Sequence, residues 1–204
     1  PPMSGSELVD LLINHSQQIF PTHSKWNIPA KLWDKISSVF YTRYSAEPLE
    51  ALLKEKIGDR NLGHALTNVM VTAVVSTYNE PIILGNRSHS TCLAWQAGRS
   101  SSAAPTYFPA FQATSVEGKP YLIDGGIWKN NPSFELAVRI KKLAETKEDH
   151  FDFSQVTMLS LGTGDMPITP LPVDGGLIKA AGPLIDTFMQ SQSAGVHMTM
   201  QSLL

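Results

Sequence analysis

The residue in this chain best placed to do chemistry is Asp124, the acid in Tyr121-Leu122-Ile123-Asp124-Gly125-Gly126. A short apolar run delivers the carboxylate to a strand tip. The two residues after it have no side chain, so a substrate or another backbone can come close to the acid. Burial at a strand end raises a carboxyl pKa toward that of a useful base, while nearby backbone amides hold the group ionised. All three residues of Asp-Gly-Gly also favour turns, and on the tripeptide alone an ordinary turn is the simpler reading. Shortly after it, Asn131-Pro132 opens a helix in the preferred manner, with Asn as cap and Pro in the first turn.

Other candidates carry less. Leu161-Gly162-Thr163-Gly164-Asp165 follows an apolar run but has neither the phosphate-loop lysine pattern nor the third dinucleotide-binding glycine, so a tight turn is preferred to nucleotide binding. Gly98-Arg99-Ser100-Ser101-Ser102 has a serine where a nucleophile elbow needs its second glycine, and it precedes no strand-to-helix turn. Tight helix packing is its favoured reading. The six histidines, His15, His23, His64, His89, His150 and His197, include no His-x-x-x-His pair, so no zinc-hydrolase signature exists and no metal is expected. A Ser-His-Asp triad using one of them stays open, because triads assemble in space.

The elements that must position Asp124 alternate along the chain. Ser4 and Glu7 form a capping box, with Leu8, Leu11, Leu12 and Ile19 on one helical face. A connection rich in Trp, Pro and Lys runs from about residue 21 to 44. Ser45 then caps a second helix with Leu49, Leu52, Leu53 and Ile57 on its stripe, ended by Gly58. Residues 69–75 are solidly apolar and β-branched, as in a strand covered on both faces. Residues 81–84 form a second short strand, 93–104 a small-residue helix stopped by Pro105, and 156–161 another buried strand. Strands alternating with helices predict an α/β fold with helices on both faces of a largely parallel sheet. Ligands bind at the carboxyl ends of strands in such a sheet.

Bulk properties exclude several classes. The chain has 204 residues, 42% hydrophobic and 17% charged, with a net charge of −2. That is a globular composition with no clustered basic footprint for nucleic acid and no polybasic segment for anionic membranes. Cys92 is the lone cysteine, so no disulfide within the chain and no cysteine-built zinc site is expected. No apolar run reaches the roughly eighteen residues of a membrane span. A cytoplasmic or membrane-peripheral location fits best. The opening Pro1-Pro2-Met3 and the apolar close at Leu203-Leu204 read as a single domain, 1–204, incomplete at both ends, which leaves export open.

Four features in order resemble the patatin-like phospholipases: the strand at 69–75 leading to Pro81-Ile82-Ile83-Leu84; Arg99-Ser100-Ser101-Ser102-Ala103-Ala104-Pro105-Thr106-Tyr107-Phe108-Pro109; Leu122-Ile123-Asp124-Gly125-Gly126 with Asn130-Asn131-Pro132 behind; and Leu159-Ser160-Leu161-Gly162-Thr163-Gly164. The resemblance implies a three-layer α/β/α fold with its N-terminal part missing, and a Ser-Asp dyad that hydrolyses phospholipids or related acyl esters without a cofactor. Asp124 is then the base, Gly125 and Gly126 let the serine loop approach, and Asn131 caps the helix behind. The family's oxyanion loop and Gly-x-Ser-x-Gly elbow do not occur in these 204 residues. The alternative is a catalytically silent fold that binds lipid or protein. The oligomeric state is not legible.

Overall fold

A short turn fixes the first strand pair. β1 (Met70–Val75) and β2 (Glu80–Gly85) are joined by residues 76–79, with Asn79 in the left-handed region at φ 56°. A link that short permits only antiparallel pairing, since a parallel crossover needs a dozen or more residues. β3 (Phe111–Gln112) and β4 (Tyr121–Asp124) are a second hairpin, and its loop closes through Ala113 N–H donating to the Pro120 carbonyl at 2.9 Å. The sheet order is β2-β1-β4-β3 and every one of these pairings is antiparallel. The mixed α/β class expected from sequence therefore holds, but the parallel pairing does not appear among the described residues. These are 3–21, 42–146, 151–164 and 177–203, with side-chain burial described from 183 within the last span, in a computed structural model. The chain divides into two compact units, residues 1–124 and 125–204.

Direct partners across an antiparallel ladder point their side chains to the same face. The register Val71↔Leu84, Ala73↔Ile82, Ala73↔Asp124 and Val75↔Leu122 thus puts these residues on one face. Ala73, Leu84 and Leu122 are wholly buried there, with Cys92, Ala97 and Ala113 in the same cluster. Burying a leucine completely contributes about 1.5–3 kcal/mol, so Leu84 and Leu122 tie the sheet to the small-residue helix α3 (Ala94–Ser101). That helix is shorter than the expected 93–104, and Ser102 ends it by donating its N–H back to the carbonyls of Gly98 and Ser100. Burial also pushes the Cys92 thiol pKa up. The folded protein is accordingly expected to resist a thiol-specific reagent that labels one cysteine per chain after denaturation. Fast labelling of the native state would mean the core around Cys92 opens.

A second cluster joins α1 (Gly5–Ile19) to α2 (Glu47–Ile57) through Ile19, Leu52 and Phe108. The α1 capping box is present as read: Ser4 Oγ accepts from Glu7 N–H, and Glu7 Oε2 from Ser4 N–H at 2.7 Å. The expected apolar stripe is only half used, because Ile19 is buried and Leu11 half-buried while Leu8 and Leu12 are exposed. For α2 the cap expected at Ser45 falls on Ala46 instead, with Ser45 Oγ accepting from Glu47 N–H just before it, and Gly58 ends the helix at φ 65°. Most of the Trp-, Pro- and Lys-bearing connection, with Trp26, Trp33 and Phe40, lies outside the described residues.

In the second unit, α4 (Gly126–Lys129), α5 (Ser133–Ala144) and α6 (Leu177–Leu203) pack together. Residues 156–161, expected as a buried strand, form no strand and have no ladder partner among the described residues. Leu159 and Leu161 are 81% and 83% exposed. A strand needs a neighbour for its backbone groups and its apolar side chains, and neither is supplied here. Among the described residues, no helix is long and apolar enough to cross a membrane.

Candidate active site

Asp124 closes β4 on the sheet face that carries the core, half-buried and level with Ala73 of the neighbouring strand. Its backbone N–H donates to the Ala103 carbonyl at 3.0 Å. The acid is thus anchored on two sides, by a ladder and by the segment that leaves α3. Both anchors use backbone.

The segment supplying Ala103 is itself fixed by a buried cation. Arg99 is 1% exposed, and its Nε donates to Glu50 Oε1 at 3.1 Å and its Nη2 to the Pro109 carbonyl at 3.0 Å. The guanidinium lies 5.7 Å from the Phe108 ring centroid and 5.3 Å from that of Phe111, in cation–π range. Residues 99–109 are thereby wrapped around one charge, with Ala103 wholly buried in the middle. Of the three serines beside Arg99, Ser100 and Ser102 each donate Oγ to a helix carbonyl, of Gln96 and Gly98 respectively, at 2.8 Å. They pack the helix, as the sequence pattern suggested.

Beyond Asp124, Gly125 and Gly126 are both buried. Gly125 has φ −69° and ψ −16°, a conformation open to any residue, so its value at this point is the missing Cβ and not backbone freedom. Its carbonyl accepts from Trp128 and Lys129 N–H at 3.0 and 2.7 Å, which winds α4. The cap expected at Asn131 falls one residue later: Pro132 occupies the N-cap position and lies outside the first turn, while Asn131, just before it, accepts through Oδ1 from Ser133 N–H at 3.1 Å. Gln192 of α6 clamps this corner: its Oε1 accepts from Asn130 N–H at 2.6 Å and its Nε2 donates to the Trp128 carbonyl. Arg99, Glu50 and Gln192 were not singled out from sequence. Only an arginine amid small and apolar residues hinted at the first.

The histidines divide among local roles. His15 bonds Gln18, His64 accepts from Asn61 N–H, and His89 Nδ1 lies 2.9 Å from Ser88 Oγ, while His197 is exposed on α6. His23 and His150 lie outside the described residues. Among the described residues no three His, Cys, Asp or Glu side chains gather as metal ligands. Gly162, Thr163 and Gly164 form an exposed loop, with Gly164 at φ 93°.

An acid ending a strand against a small-residue helix, followed by Gly-Gly and a helix, matches a defined class of proteins. The family model described as patatin-like phospholipase matches residues 6–137, more than half of the chain. This chain belongs to the patatin-like phospholipase family. Patatin-like protein 2 of Oryza sativa subsp. indica is 30% identical over 183 residues, which cover 80% of this chain and 45% of the relative. Patatin-like protein 2 of Arabidopsis thaliana is 30% identical over 230 aligned residues, covering 100% of this chain and 56% of the relative. Patatin-17 of Solanum cardiophyllum is 25% identical over 177 residues, 79% of this chain and 42% of the relative. The chain thus spans about half the length of the curated relatives it matches.

Proposed function

We propose that the protein is a lipid acyl hydrolase of the phospholipase A or esterase type, and that Asp124 is the base of its Ser-Asp dyad. The observation that supports this most is the placement of Asp124 at a strand end, its backbone held by Ala103 and by β1, within the segment that matches the family. The two compact units are read as parts of one such domain, since the family match crosses the boundary between them.

In the proposed reaction a serine hydroxyl attacks the ester carbonyl of an acyl lipid while its proton passes to the Asp124 carboxylate. The alcohol leaves, an acyl-enzyme forms, and water then releases the fatty acid. A carboxylate is a weak base for a hydroxyl. The site must therefore exclude water and stabilise the oxyanion strongly to make up the difference. Gly125 and Gly126, with no side chains of their own, leave room for the serine loop, and Asn131 holds the start of the helix behind them. The protein would meet its phospholipid or other acyl-ester substrate at the membrane surface, from the water side.

The alternative reading is a catalytically silent patatin fold that binds lipid or protein. Treatment of the intact protein with a serine-directed fluorophosphonate, followed by intact mass, separates the two. One probe adduct together with fatty acid release from phosphatidylcholine is the expected result. Neither adduct nor release would leave the silent fold.

A further inference from the structure

At the end of the sheet where β4 begins, the surface opens into a cleft of about 730 Å³. That volume falls within the range of small-molecule sites, roughly 300–1,000 Å³. Its walls are the β1–β2 turn, the loop after β2 and the β3–β4 loop. Asp124 ends the same strand, about 10 Å further on at the usual strand rise, and the wholly buried Leu122 lies between the two ends.

The lining has a definite chemistry. Tyr78 and Tyr121 stand at the cleft 73% and 49% exposed, open to a ligand. The same lining includes Glu80 and Glu117, Lys119 and His89. Hydroxyls of Thr77, Ser88 and Thr91 complete the wall. An anion would face two carboxylates against one lysine. A divalent cation would need these two carboxylates and the imidazole gathered around it, and no three such groups come together among the described residues. An acyl chain would desolvate charges without pairing them. A ring that is apolar on its C–H face and hydroxylated around its rim fits both parts: tyrosine rings cover the C–H face, and carboxylates and hydroxyls accept from and donate to the rim.

The walls are also set in advance. Ser76 N–H and Oγ both donate to the Tyr121 carbonyl, at 2.9 and 3.0 Å. Lys119 N–H donates to the Val116 carbonyl at 2.9 Å, His89 N–H to the Gly85 carbonyl at 2.7 Å, and Ser88 Oγ lies 2.9 Å from His89 Nδ1. Loops already held by backbone bonds lose little entropy when a ligand arrives.

We infer that this cleft is a binding site for a neutral saccharide, with Tyr78 and Tyr121 stacking on the sugar and Glu80 and Glu117 accepting from its hydroxyls. The site is independent of the hydrolase reading. It is tested on the intact protein by ligand-observed NMR with methyl glucoside and maltotriose, and by flotation with phosphatidylcholine vesicles that do or do not contain a glucosyl lipid. Saturable millimolar binding of the free sugars identifies a soluble saccharide as the source. Binding to the glycolipid vesicles alone identifies a lipid headgroup. In either case Tyr78→Ala and Glu117→Gln, both exposed changes that spare the fold, are expected to weaken binding about tenfold, while Asp124→Asn leaves it unchanged. No binding to any of these probes, or binding indifferent to both cleft variants, overturns the assignment.

Discussion

Asparagine in place of Asp124 is expected to lower ester hydrolysis by the intact protein about 10²–10⁴-fold, the range typical of removing a general base, while the fold survives. The two halves of that expectation rest on different contacts. The fold half follows from the backbone: the ladder to Ala73 and the N–H bond to Ala103 belong to the peptide unit, and the amide side chain has nearly the shape of the acid. The chemical half follows from the proton. An amide cannot take the serine hydrogen, so both the attack and the later activation of water lose their acceptor. Initial rates on a soluble ester, compared at matched circular dichroism and melting temperature, make the measurement. Hydrolysis retained within a fewfold would remove Asp124 from the base role. Loss of activity together with loss of the melting transition would instead assign the residue to the fold. Fluorophosphonate labelling is expected to slow in the same variant, because the probe reports the same activated hydroxyl.

How far this could be read in advance depended on whether a signal was local. The Ser4–Glu7 box, the Gly58 stop and the strand ending at Asp124 are each set by a few adjacent residues, and each is found where the pattern put it. Strand direction is not local in that sense. The run at residues 69–75 is buried on both faces, as its composition said, but burial on both faces also occurs in an antiparallel sheet, and the four-residue turn to β2 was the stronger clue. For residues 156–161 composition alone misleads, since an apolar β-branched run becomes a paired strand only where a partner lies alongside. Near the candidate site the strand end at Asp124 was legible from its local pattern, whereas the cap read at Asn131 falls instead on Pro132. Gln192, 62 positions past the Asn130 whose N–H it accepts, was not legible, and neither was the pairing of Arg99 with Glu50 across 49 positions. A side chain that acts on a distant backbone leaves no spacing to read.

That distant pairing carries the other large expected effect. Glu50→Ala is expected to destabilise the intact protein by about 2–3 kcal/mol, below the usual 3–5 for a broken buried pair because the Glu50 side chain keeps 25% of its surface in solvent. For a chain of this length that is a fall in Tm of roughly 4–12 °C. The cost does not come from losing attraction alone. Arg99 would remain buried with its charge, held by the Pro109 carbonyl and two aromatic rings, and its Nη1 already has no hydrogen-bond partner among the described residues. Lys54, 4.0 Å from the other Glu50 oxygen, is an exposed partner and adds little. If the uncompensated charge is the cause, removing it should restore stability. The double variant Glu50→Leu with Arg99→Met is expected to melt well above Glu50→Ala, close to the unaltered protein, because apolar side chains of similar volume replace a buried pair at little cost. Equal loss in both variants would locate the effect in packing around Phe108 and Phe111 instead. The same pair also bears on the acid. Arg99 fixes the segment whose Ala103 carbonyl receives the Asp124 N–H, so a double variant that regains its Tm yet hydrolyses esters more slowly would show the ion pair positioning Asp124, beyond its part in the fold.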